Sequence, residues 1–83
     1  MTLSPSVLMV EDSPSMTSVY RGYLSRSAYE VAAVATIGAA REALEAKAVD
    51  IVLLDVQLPD GSGLDFVDAL LSRDNAPDII VMT

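Results

Sequence analysis

Ile51-Val52-Leu53-Leu54 is an apolar run without alternation, and Asp55 follows it at once. Such a run predicts a strand buried on both faces, the usual state in a parallel sheet covered by helices, because a half-solvated strand would alternate apolar with polar residues. Val7-Leu8-Met9-Val10, ending in Glu11-Asp12, has the same character, as does Ile79-Ile80-Val81-Met82, ending in Thr83. Residues 29–35, β-branched and alanine-rich, supply another strand. Helical signals fill the gaps. Ser13-Pro14 combines an N-cap with proline at the first helical position, and Met16, Val19, Tyr20, Tyr23 and Leu24 follow at helical spacing. Gly22 weakens that helix by about 1 kcal/mol against alanine. Thr36 can cap a second helix over residues 38–46, with Ala40, Ala43 and Leu44 facing inward. Ser62 or Gly63 opens a third helix, with Leu64, Val67, Leu70 and Leu71 inward and Asp65 in the dipole-favoured first turn. Met9, Met16 and Met82 read as core filler.

Strands alternating regularly with helices imply a parallel α/β sheet joined by right-handed crossovers. Composition then narrows the chemistry. Five basic against twelve acidic residues in 83 leave a net charge of -7, which argues against non-specific binding of nucleic acid or anionic membrane by this segment. Without cysteine or histidine there are no disulfides, thiolate or imidazole ligands, and no imidazole catalysis. The start "MTLSPS" has no basic region leading into a long apolar core, and no apolar run approaches the ~20 residues of a membrane span. A soluble cytoplasmic protein is expected.

In such a sheet the ends of the first and third strands can be neighbours, bringing Glu11, Asp12 and Asp55 together; alternatively Asp55 simply ends a strand and enters a turn. Three carboxylates within about 5 Å would repel by something on the order of 10 kcal/mol at an effective dielectric near 20. A cluster of that kind either protonates in part or holds a cation. An all-oxygen donor set favours magnesium or another hard divalent ion, and the main-chain oxygen of Gln57 could add a ligand. An aspartate beside such an ion can act as a nucleophile toward phosphorus and form an acyl phosphate.

The segments "VLMVEDSPSM", "VDIVLLDVQLPDGSG" and "PDIIVMT" resemble the receiver domain of two-component response regulators, the CheY-like family, from about residue 6 to Thr83. The resemblance implies a flavodoxin-like parallel sheet of strand order 2-1-3-4. It also implies Asp55 as phosphoacceptor, Glu11 and Asp12 as the Mg2+ pair together with Asp55, the Gln57 main-chain oxygen as a further ligand, and Thr83 as the switch hydroxyl. The implied partner is a sensor histidine kinase or phosphotransfer protein, and the "VEDSPSM...YRGYL" start and the "LPDGSGLDF" loop look most like receivers of transcriptional activators. The chain would accept a phosphoryl group rather than turn over substrates; a phosphohydrolase with an aspartyl nucleophile would carry a second acid two residues on, where Gln57 stands. A family receiver continues with a fifth strand ending in a phosphoryl-gripping lysine, whereas the one lysine here, Lys47, closes the second helix. Residues 6–83 are therefore expected to form a partial receiver, incomplete at its C-terminus, behind a flexible segment 1–5. One face of the first and third strands should be bare and the fourth strand should be an open apolar edge. The segment is expected to be part of a longer receiver or a homo-oligomer. The competing reading is a phosphorylation-independent dimerisation module that uses that edge.

Overall fold

The computed structural model describes residues 5–26 and 28–82. Its long strands are β1 (Ser6–Val10), β2 (Glu30–Val34), β3 (Ile51–Asp55) and β6 (Asp78–Met82), and its helices are α1 (Pro14–Leu24), α2 (Ile37–Ala46) and α3 (Gly63–Leu71). The two-residue strands β4 (Gln57–Leu58) and β5 (Gly61–Ser62) lie between β3 and α3. The long strands form one parallel sheet in the order β2-β1-β3-β6, the expected flavodoxin-like α/β arrangement. Residue 83 and residues 1–4 lie outside the described residues, so Thr83 and most of the segment expected to be flexible receive no structural account.

Local chemistry explains the helix starts. Each helix begins at a hydroxyl residue whose side chain accepts an amide of the first turn: Ser13 from Met16, Thr36 from Ala39 and Ser62 from Leu64. Chain direction then decides the faces. β1 leads outward to β2, whereas β2 leads back across β1 to β3, and β3 leads on to β6. Right-handed crossovers therefore set α1 on one face and α2 and α3 on the other. The main core lies on the α2/α3 side, where Leu8, Val10, Val52 and Leu54 meet Ala40, Leu44, Phe66 and Leu70.

Three expectations need correction. The first strand is not bare: Val7 and Met9, which point to the α1 side, are buried. β1 is a central strand, paired with β2 on one side and β3 on the other. Exposure falls instead on β3, where Ile51 and Leu53 are half-buried, and on the edge strand β6. Secondly, α1 buries none of its residues; Met16 and Val19 of the apolar stripe are exposed, Tyr20 and Leu24 half-buried. Its seating side, through Thr17, Tyr20 and Leu24, is turned roughly 60° from the centre of the stripe at 100° per residue.

Thirdly, α3 is rotated from its expected setting. Leu70 is buried and Val67 half-buried as expected, but Leu64 and Leu71 are 54% and 62% exposed, and Phe66 is buried at 3% exposure. The rotation brings the Phe66 ring under the Arg41 guanidinium of α2, 5.2 Å from the ring centroid. Substitutions along this helix separate the two settings. Phe66→Ala is expected to cost about 3–5 kcal/mol in urea unfolding, and Leu64→Ala and Leu71→Ala about 0.5 kcal/mol or less. Equal losses at all three positions would restore the helix face expected from the sequence.

Candidate functional site

β1 and β3 are adjacent and in register, Val10 opposite Leu54, and both run the same way. The residues at their carboxyl ends are therefore delivered to one place. Carboxylate oxygens of Glu11, Asp12 and Asp55 lie within 4.8 Å of one another, with Glu11 and Asp55 half-buried and Asp12 exposed. The Glu11 amide donates to the Val34 carbonyl at 3.0 Å, which extends the sheet by one residue and holds Glu11 in the cluster. The Ser13 amide donates to Glu11 Oε2 at 3.3 Å, so the loop leading into α1 also fixes its side chain.

Asp55 is the last residue of β3, and its Oδ1 accepts the Gln57 amide at 3.2 Å. That bond starts the turn into the β4–β5 hairpin, where Gln57 pairs with Ser62 and Leu58 with Gly61. Two-residue strands are too short to leave a periodic signal, and the sequence showed only a loop. The hairpin returns the chain so that the Gly63 amide donates to the Val56 carbonyl at 2.8 Å. A Cβ on Gly63 would stand 2.1 Å from the Asp55 carbonyl oxygen. Only glycine allows α3 to start this close to the strand end that carries Asp55.

Of the residues singled out from sequence, Glu11, Asp12 and Asp55 are brought together, and Gln57 is tied to Asp55 through its amide. Lys47 is remote: it pairs with Glu30, the first residue of β2, at the opposite end of the sheet. Asp60 holds the start of α2. Its Oδ1 and Oδ2 accept the Ile37 and Gly38 amides at 2.9 and 3.0 Å, and these amides, Gly38 first, hold its carboxyl below the usual carboxylate range. Nothing local in the sequence signals a bond to a helix 22 residues earlier.

The donor set fits a hard divalent cation. It consists of three carboxylates within one ion's reach, with no nitrogen or sulfur ligand, at the carboxyl ends of parallel strands where such folds gather ligands. Burial first, then hydrogen bonding with and the charge of Asp55, raise the Glu11 carboxyl above its ordinary value of 4.5, against the lowering effect of the Ser13 amide.

A family model described as "Response regulator receiver domain" matches residues 7–83. Over 75 residues, 90% of this chain, the sequence is 33% identical to the TorCAD operon transcriptional regulatory protein TorR of Escherichia coli K12 and 37% identical to the luminescence regulatory protein LuxO of Vibrio campbellii. The chain spans 33% of the first relative's length and 17% of the second's. Among solved structures it is similar to the MaeR response regulator bound to beryllium trifluoride, with a TM-score of 0.90 at 32% identity over 95% of this chain and 66% of that one.

The raised Glu11 carboxyl has a consequence for stability. Between the ordinary and the raised value the folded chain holds a proton that the unfolded chain has released, so stability falls as pH rises. The contribution is complete below about pH 4.5 and is lost as pH passes through the raised folded value. In metal-free thermal melts from pH 4 to 8, Glu11→Gln is expected to remove that part of the slope; an unchanged profile would mean that Glu11 is not the group responsible.

Proposed function

The chain belongs to the response regulator receiver domain family, and on that footing we propose that it is a phosphoacceptor module of a two-component signalling protein, with Asp55 as the acceptor. One observation carries the reading: carboxylate oxygens of Glu11, Asp12 and Asp55 converge within 4.8 Å at the carboxyl end of a central parallel pair. The donor is a phosphohistidine on a sensor histidine kinase or a phosphotransfer protein. A carboxylate oxygen of Asp55 attacks phosphorus, the phosphorus–nitrogen bond breaks, and the imidazole leaves with its electron pair and takes up a proton. The product is an acyl phosphate. Glu11, Asp12, Asp55 and the Gln57 main-chain oxygen would hold Mg2+, and Thr83 would be the switch hydroxyl. The bound cation supplies charge neutralisation between the acids and the incoming phosphoryl oxygens.

The same reading makes the chain an acceptor rather than a turnover enzyme and gives it a transcriptional output. The second point is supported by the regulators TorR and LuxO among its relatives. With a small phosphodonor and Mg2+, the parent protein is expected to take up hydroxylamine-labile phosphate, and Asp55→Ala to take up none above background. Equal labelling of the two, or no labelling of the parent, would overturn the assignment.

A second reading, association through a sheet edge independent of phosphate, is favoured by β6. Among the described residues β6 pairs with β3 alone, and Ile80 and Val81 are 52% and 41% exposed. An unpaired apolar edge is a template for another strand. That reading predicts, by light scattering, association that survives Asp55→Ala and is lost in Ile80→Lys. A parent that stays monomeric would remove it.

A further inference from the structure

The first amides of a helix have no partner within it. At the start of α2 the work is divided. Thr36 Oγ accepts the Ala39 amide at 3.0 Å, as an ordinary N-cap does. The Ile37 and Gly38 amides are left to Asp60, which takes one on each carboxylate oxygen. A helix that could have been capped wholly by its own neighbours is instead completed by the tip of the β4–β5 hairpin.

The tip is shaped for this contact. Asp60 stands between Pro59, whose ring fixes its own backbone, and Gly61, whose φ of +152° side-chain-bearing residues rarely adopt. A Cβ on Gly61 would stand 3.1 Å from Ile37 Cδ1, so the tip is packed against the first residue of α2 as well as hydrogen-bonded to it. Arg41, one turn further along α2, adds an attractive charge toward the Asp60 carboxylate. The base of the hairpin is pinned separately, by the Gly63 amide on the Val56 carbonyl and the Gln57 amide on Asp55. Gln57 and its main-chain oxygen therefore lie on a short ribbon anchored at both ends, one end at Asp55 and the other at α2.

We propose that Asp60 is a positioning residue for the chemistry at Asp55: by seating the hairpin tip on α2 it sets where the Gln57 main-chain oxygen stands relative to the three carboxylates. The inference rests on the phosphoacceptor reading above and extends the site to a residue that touches neither cation nor phosphoryl group. It also makes the amino end of α2 part of the site's support, so that displacement of α2 and cation affinity are linked.

Thr36→Ala provides the control, because it removes the local half of the same helix cap and leaves the hairpin untouched. Mg2+ affinity, read by calorimetric titration of the full chain, is the measurement, with the melting temperature recorded alongside. Thr36→Ala and Asp60→Ala are both expected to melt lower than the parent. Asp60→Ala alone is expected to bind Mg2+ about tenfold more weakly, the size of effect typical when a supporting partner of a metal ligand is lost. Asp60→Asn keeps one acceptor oxygen and is expected to lose about threefold. Should Asp60→Ala not fold, the asparagine variant decides. Parent-like affinity in the folded Asp60 variants would overturn the inference and leave Asp60 as a helix cap, while the phosphoacceptor reading stood on the labelling of the parent. Equal weakening in Thr36→Ala would also overturn it, by tracing the effect to helix stability. A parent that binds no Mg2+ would remove both.

Discussion

The in-register parallel pairing of β1 with β3 is the constraint from which the rest of the site follows. Val10 faces Leu54 across the ladder, so the next residues of both strands emerge side by side, and in this chain those residues are acids. Burial of Leu8, Val10, Val52 and Leu54 in one core sets the register, because a slip of one residue would turn these side chains to the opposite face. The energy of apolar packing thus offsets the mutual repulsion of Glu11, Asp12 and Asp55. Burial at this meeting point, with hydrogen bonding to and the charge of Asp55 added to it, raises the Glu11 carboxyl.

Around this fixed pair of strand ends, the chain between β3 and α3 does a second, more local task. Gly63 lets α3 begin against the Asp55 carbonyl, and the hairpin between them is held at its base by main-chain bonds and at its tip by Asp60. Each of these contacts is individually modest, since folding exchanges a hydrogen bond to water for one within the protein. Their value is geometric: they leave few ways for the segment after Asp55 to move without disturbing α2 or α3.

Burial is uneven across the sheet. The α2/α3 side is packed, whereas on the α1 side β1 is covered and β3 only half so. The difference follows from the crossover rule, which places one helix over one half of the sheet and two over the other side. Exposed large apolar residues lie on α1, along β6, and on α3 at Leu64 and Leu71. Among the described residues no helix is long and apolar enough to cross a membrane.

Much of the fold was legible because its signals are local and redundant. Unalternating apolar runs, hydroxyl caps at Ser13, Thr36 and Ser62, and strand–helix alternation each identify elements without reference to distant residues. The acids were legible for the same reason: they follow immediately on apolar runs, so naming the strands named the site. Helix orientation was not. The stripes of α1 and α3 contain more apolar residues than the sheet can cover, and only packing against Arg41 and the other neighbours selects Phe66 over Leu64 and Leu71. The roles of Asp60 and Gly63 were hidden as well, since one bonds to a helix 22 residues earlier and the other lies against the Asp55 carbonyl. Neighbouring residues were enough to mark the long strands, the helices and the acids at the ends of β1 and β3, because those signals are local, but not the β4–β5 hairpin. Tertiary structure alone decided which helix faces turn inward and what supports the acids, because those choices depend on contacts between segments far apart along the chain.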